Sequence, residues 1–121
     1  MTVRDFYHGT NGDNILGILR EYRMKPDQHG QIFFSQFRFE SVLMHGPDAT
    51  RGAAFAIKVR VELSERTTVQ QKPTPGIADT VVVQTTRPIV AEVLELYVRP
   101  RGALSVQVVR GAAEIVQFLR R

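Results

Sequence analysis

Residues 55–63 read Phe-Ala-Ile-Lys-Val-Arg-Val-Glu-Leu, with Phe55, Ile57, Val59, Val61 and Leu63 alternating with Ala56, Lys58, Arg60 and Glu62. This is the strictest pattern in the chain. Period-two alternation places every second side chain on one face, so the segment must be a strand with one apolar and one more polar face. A strand of this kind cannot stand alone, and the sequence supplies partners. Valine-rich residues 80–84 and 89–98 read as strands, as do residues 31–35 and 104–109, and Val3 with Phe6 and Tyr7 marks a short one near the start. Helical spacing recurs over residues 14–22 through Ile15, Leu16, Ile18, Leu19 and Tyr22, with Asn11 or Asp13 as N-cap. Gly17 in its middle weakens that helix by about 1 kcal/mol relative to alanine, which predicts close packing there. Residues 36–45 and 112–119 read as two further helices. Residues 24–30, 46–52 and 64–78 read as loops, the last carrying Pro73, Pro75 and Gly76. The expected class is α+β, a mainly antiparallel sheet with two or three short helices.

The 121 residues fit one domain, residues 1–121, able to form a core without disulfides or metals. There are no cysteines, which removes disulfides, thiolate zinc sites and a cysteine nucleophile. No apolar run is long enough to cross a bilayer, and residues 1–5 lack the apolar stretch of a signal peptide. The expectation is a soluble domain without membrane partners, acting in the cytoplasm of the producing or a target cell, with delivery as part of a larger secreted protein left open. The glycine patterns of a phosphate-binding loop and of a dinucleotide-binding Rossmann unit are both missing. His29 and His45 stand at no metal-ligand spacing with an acid, so no metal is expected. The formal charge is +4. Between residues 98 and 121 five arginines, Arg99, Arg101, Arg110, Arg120 and Arg121, face the single acid Glu114. Such a segment is either a solvated surface or a seat for phosphates, for which the guanidinium fork is suited.

The chemistry-bearing residues cluster early. Tyr7-His8-Gly9-Thr10 is followed by the helical run Asn14-Ile15-Leu16-Gly17-Ile18-Leu19 and then by Gly30-Gln31-Ile32-Phe33-Phe34-Ser35. Later, Ala78-Asp79-Thr80-Val81-Val82-Val83 sets an acid directly before an apolar strand. This order resembles the NAD-binding core of ADP-ribosyltransferases of the diphtheria-toxin and poly(ADP-ribose) polymerase class. There a strand ending in His-Gly-Thr or His-Gly-Ser precedes a Gly-Ile-Tyr-Phe-Ala or -Ser segment and a late acidic residue. The resemblance spans residues 5–98, with a weak middle, and implies a split antiparallel sheet core. It implies that His8 bonds the ribose, that the Gly9 backbone pairs with the nicotinamide amide, that Thr10 and Ser35 line the NAD site, and that Phe33 stacks on nicotinamide. Phe33 stands where tyrosine is usual, so the hydroxyl is lost. Alternation lets only one of Phe33 and Phe34 face the pocket, and Phe39 or His45 is a candidate for the second face.

Asp79 is the candidate catalytic acid, aspartate in place of the usual glutamate, with Glu92 and Glu95 as runners-up. Being three apart, these two are expected on opposite faces of their strand. The shorter arm of aspartate favours single transfer over chain elongation. The implied activity is an NAD-dependent mono-ADP-ribosyltransferase, a compact toxin or effector with NAD as co-substrate. Its catalytic residues are His8, Phe33 and Asp79, and its acceptor is contacted by Arg99, Arg101 and Arg110. The acceptor is RNA, slightly favoured on charge, or protein, and a toxin would have a cognate immunity protein as partner. Three alternatives stay open: an RNA 2′-phosphotransferase-like enzyme, an antibiotic-modifying ADP-ribosyltransferase, and a non-enzymatic basic RNA-binding module.

Overall fold

The computed structural model describes residues 1–65, 67–71 and 79–121. Along the chain the elements are β1 (Thr2–Gly9), α1 (Gly12–Glu21), β2 (Arg23–Met24), β3 (Gln31–Ser35), α2 (Glu40–Leu43), β4 (Pro47–Asp48), β5 (Ala53–Leu63), β6 (Thr68–Gln71), β7 (Thr80–Gln84), β8 (Ile89–Pro100), β9 (Gln107–Arg110) and α3 (Ala112–Leu119). Every strand pairing among the described residues is antiparallel, in the order β2-β8-β5-β1-β3-β7-β6, with β4 on β5 and β9 on β8. The chain is therefore α+β with an antiparallel sheet and three helices among the described residues.

The alternating strand is the spine of this sheet. β5 pairs with β1 from Thr2↔Leu63 to Gly9↔Ala56 and with β8 along its other edge. Phe55, Ile57, Val59, Val61 and Leu63 are all buried. They form the main core with Phe6, Phe34, Leu96 and Val98, closed by Ile15 and Ile18 of α1 and Ile115 and Leu119 of α3. The opposite face carries a smaller cluster in which Val42 and Leu43 of α2 meet Ala56 and Tyr97, with Phe39 stacked flat on Tyr97 at 4.2 Å.

Five expectations are corrected here. Residues 64–78 are not loop throughout, because Thr68–Gln71 pair with β7; the segment with Pro73, Pro75 and Gly76 lies outside the described residues. The strand expected over 104–109 begins only at Gln107, and Leu104 is fully exposed. The helix expected over 36–45 shrinks to Glu40–Leu43. Gly17 meets nothing: a Cβ there would have open space around it, so the glycine is not explained by packing. Finally, Glu92 and Glu95 do not point to opposite faces. Lys58 pairs with Glu95 and Val59 with Val93, which leaves Leu94 as the extra residue of a β-bulge. The bulge resets the alternation, so Glu92 opposite Arg60 and Glu95 opposite Lys58 share one face.

Beyond the apolar core, an ionic junction that no motif announced ties three elements together. Asp48, buried at the β4 end, accepts from the Gly12 N–H at 2.8 Å and from the Arg51 N–H at 3.0 Å. The Arg51 guanidinium donates to Asp48 and Asp13, each at 3.0 Å, and to the Leu119 carbonyl at 2.9 Å. One side chain thereby ties the start of α1, the β4–β5 turn and the end of α3. Burial pushes the Asp48 carboxyl up, but the Gly12 and Arg51 N–H groups and the guanidinium more than offset this, leaving it below its ordinary value.

Candidate active site

The sheet is continuous along β5 but is joined between β1 and β3 by one registered pair, Tyr7↔Ser35. Continued past that pair, the register would set His8 opposite Phe34 and Gly9 opposite Phe33. Instead the strands part, and their parted ends are the motif residues. A side chain replaces the missing ladder: His8 Nδ1 lies 2.8 Å from the Phe33 carbonyl oxygen. A carbonyl only accepts, so Nδ1 carries the hydrogen and the neutral ring keeps Nε2 as its acceptor. Burial is the largest influence on His8 and lowers its pKa. The Phe33 carbonyl raises it, and the charge of His45 lowers it further, with the net result below 6.5. Burial and His45 thus disfavour the protonated ring.

A cavity of about 570 Å³ occupies the split, lined by His8, Gly9, Ile32, Phe33, Phe34, Ser35, Ser41, Val42 and His45, with Lys25, Asp27, Gln31 and Thr80 completing the wall. Alternation along β3 separates the two phenylalanines by burial, but both line the cavity, so the expectation that only one would face it is corrected. Phe34 is buried and stacks on Phe6 at 4.9 Å, whereas Phe33 is 44% exposed. Gly9 has a reason of its own, since a Cβ at this position would stand 1.9 Å from the Val42 carbonyl oxygen. The missing side chain lets α2 close down on the end of β1, which shapes the cavity wall.

Asp79, directly before β7, is 5% exposed and does not line the cavity. It stands one hydrogen bond behind it. The Ser35 hydroxyl donates to Asp79 Oδ2, the Phe37 N–H donates to the same oxygen at 3.3 Å, and the Gln36 N–H donates to the Asp79 carbonyl at 2.9 Å. Burial pushes this carboxyl up, but the hydroxyl of Ser35, the N–H of Phe37 and the hydroxyl of Ser41 outweigh it, and the pKa lies below the ordinary value. A negative charge is therefore fixed behind the serine wall. Asp79 Oδ1 is buried and makes no hydrogen bond among the described residues.

The remaining candidates sort by place. Thr10 lies outside the cavity, where its Oγ1 accepts from Asn14 Nδ2 at 2.9 Å, and it lines an adjoining groove of about 350 Å³ along α1. That groove shares His8 and Lys25 with the cavity and passes Asn14, Gly17, Arg20 and Arg23. Phe39 belongs to the second core and His45 to the cavity. Glu92 and Glu95 line neither cavity nor groove, and Glu95 accepts from the Tyr97 hydroxyl at 2.8 Å. Arg99, Arg101 and Arg110 sit at the β8–β9 end and do not line the cavity. Arg110 is paired across Glu95, Lys58 and Tyr7, three strand spacings or about 14 Å from β1.

Sequence reasoning missed Lys25 and Ser41 in the wall, because neither belongs to a motif and only tertiary folding brings them to β3. Among the described residues no group of acids and histidines is arranged to hold a metal, and no helix is long and apolar enough to cross a membrane. Comparison with protein-family models, with curated proteins and with solved structures yields no match.

Proposed function

We propose that the chain is an NAD-dependent mono-ADP-ribosyltransferase of the compact toxin or effector type. The observation that carries this reading is the split between β1 and β3, where His8, Gly9, Phe33 and Ser35 meet around one cavity. The proposed reaction breaks the bond between nicotinamide and ribose, the electron pair leaving with the nicotinamide. The ribose passes through an oxocarbenium-like state, and an acceptor nucleophile closes on the anomeric carbon as its proton passes to solvent or a base. Each wall residue has a task in that sequence. The exposed ring of Phe33 offers a flat apolar face to nicotinamide. Neutral His8, its Nδ1–H engaged by the Phe33 carbonyl, presents Nε2 as an acceptor for a ribose hydroxyl. Ser35, donating to Asp79, places an oxygen polarised by a buried carboxylate beside the developing positive charge, which electrostatic preorganisation rewards.

The groove along α1 suits the rest of a dinucleotide, since it runs on from His8 and carries Arg20, Arg23 and Lys25 beside its acids Asp13 and Glu21. Acceptor contact by Arg99, Arg101 and Arg110 belongs to the same proposal, at the far side of the sheet from the cavity. RNA stands slightly ahead of protein as acceptor on the chain's charge.

The test has two parts. Saturating NAD should raise the melting temperature, because a ligand held by the folded state alone at a hundred times its Kd adds about 2.7 kcal/mol; no shift and no calorimetric heat would remove the reading. Asp79→Asn, which keeps an acceptor for Ser35 but not the charge, should lower transfer of labelled ADP-ribose by about 10²–10³-fold with NAD binding retained. Full activity in Asp79→Asn, with loss in Glu92→Gln or Glu95→Gln, would move the acid to β8.

A further inference from the structure

The proposed transfer leaves one task unassigned: some group must take the proton that the acceptor loses. Among the described residues that line the cavity, Asp27 is the only carboxylate, because Asp79 stands behind Ser35. Asp27 is also exposed, so it belongs both to the wall and to the surface from which an acceptor enters. One of its oxygens fixes it in place. Oδ1 accepts from the His29 N–H at 2.8 Å and from the Gln31 N–H at 3.0 Å. The backbone closes the same turn: the Asp27 N–H donates to the Gln31 carbonyl at 2.9 Å, and the Gly30 N–H donates to the Asp27 carbonyl at 3.0 Å. Gly30 takes a φ of 73° there, which only glycine adopts freely. Gln31 opens β3, so the carboxylate is fastened to the strand that carries Phe33 and Ser35, with Phe33 about 7 Å further along. The other oxygen is left over. Oδ2 makes no hydrogen bond among the described residues, and no cation there stands within ion-pair distance of it; Lys25, its neighbour in the wall, pairs with Glu21 at 3.7 Å instead.

Resting on the transferase reading, we propose that Asp27 is the general base of the transfer step, its Oδ2 taking the proton of the acceptor nucleophile. The bond between ribose and nicotinamide breaks with its electron pair leaving on nicotinamide, which departs neutral. A lone pair of the nucleophile forms the new bond to the anomeric carbon. The nucleophile's bond to hydrogen breaks, and the proton passes to Oδ2 and later to solvent. A base that acts on a group as it arrives must be free of other partners and held in position, and Oδ2 meets both conditions. The other proton acceptors of the wall meet one at most. His8 donates through Nδ1 to the Phe33 carbonyl and is assigned to a ribose hydroxyl through Nε2. His45 is fixed through its backbone, by its N–H to the Val42 carbonyl, and its ring makes no hydrogen bond among the described residues. Two carboxylates thus divide the work by environment: buried Asp79 supplies a fixed charge behind Ser35, and exposed Asp27 supplies the proton acceptor.

The experiment uses water as the acceptor and, beside it, azide, a nucleophile with no proton to lose. Nicotinamide release from NAD is measured for the unsubstituted chain, Asp27→Asn, Asp79→Asn and His45→Gln, with and without sodium azide, and NAD binding is followed by the melting shift. Asp27→Asn keeps the side-chain oxygen that closes the turn and removes the basic one, so the fold and the NAD-induced shift should be retained. The expected result is a fall in hydrolysis of about 10²-fold in Asp27→Asn, recovered when azide is added, with ADP-ribosyl azide as the product. Asp79→Asn should be slow with either nucleophile, since it loses a charge and not a base. Glu40→Gln, at an exposed acid outside the cavity wall, should hydrolyse NAD as the unsubstituted chain does. Hydrolysis by Asp27→Asn at the unsubstituted rate overturns the proposal, as does a slow Asp27→Asn that azide fails to restore. An azide-restored loss in His45→Gln alone moves the base to that ring. Any of these results, with NAD bound and cleaved by the unsubstituted chain, sinks the role of Asp27 and leaves the transferase reading standing. An unsubstituted chain that binds NAD but cleaves it with neither nucleophile also overturns the proposal, and one that does not bind NAD sinks the transferase reading with it.

Discussion

At the scale of single residues, His8 stands out because its ring does what a backbone amide would do in an unbroken sheet. It satisfies the Phe33 carbonyl across the gap between β1 and β3, and so holds the gap at a defined width. A lowered pKa has a consequence for stability. Because the folded state binds this proton less readily than the unfolded chain, the contribution of His8 is complete above 6.5 and is lost progressively as pH falls below that value through the folded pKa. Urea unfolding at pH 7.5 and pH 5.5 should therefore show lower stability at the acid value, and His8→Gln should reduce the difference. An unchanged difference in His8→Gln would assign the acid sensitivity to other groups. Asp79 and Asp48 act further down the scale: both have lowered pKa values, so their contributions hold above the ordinary carboxylate range and fade only as pH falls below it.

Among the elements, α1 was legible and its glycine was misread. Asn11 caps it as expected, accepting from the Asn14 N–H at 2.9 Å, and Ile15 and Ile18 face the core. Gly17 points into open space along the groove. Gly17→Ala should therefore stabilise the helix by about 1 kcal/mol and raise the melting temperature by a few degrees; a fall would mean that a neighbour closes on that position. The strand β8 teaches the opposite lesson. Its valines marked it plainly, but the bulge at Leu94 is set by pairing with β5 and leaves no mark in a period-two count. Likewise β6 has a single apolar residue, Val69, in a polar stretch, and it is a strand because β7 offers it an edge. Short elements take their state from neighbours, since a few residues cannot supply the nucleation and burial that a long periodic run does.

Across the whole molecule, the Arg51 junction is what joins the helical layer to the turn of the sheet. The Asp48 side chain is nearly inaccessible, so removing its cation strands a buried charge. Arg51→Ala is expected to cost about 3 kcal/mol in urea unfolding, and Arg51→Lys to recover only part, because a single ammonium cannot serve Asp48, Asp13 and the Leu119 carbonyl together. A loss in Arg51→Ala within the few tenths typical of surface sites would show that the apolar contacts of α1 and α3 suffice without it.

What the amino-acid order determined by itself was every feature that repeats or is local. The alternation of residues 55–63, the strand at 31–35, the terminal helix at 112–119, the Asn11 cap and the unequal burial of Phe33 and Phe34 all follow from periodicity and short-range hydrogen bonding. The tertiary structure alone decided where β1 and β3 part, that Asp79 stands behind Ser35 rather than in the cavity, that Glu92 and Glu95 share a face, and that Asp13, Asp48 and Arg51 meet the end of α3. These depend on contacts between residues far apart in the chain, such as Ser35 with Asp79 and Arg51 with Leu119. Only closure of the chain around its core brings such partners together, and no local pattern records it.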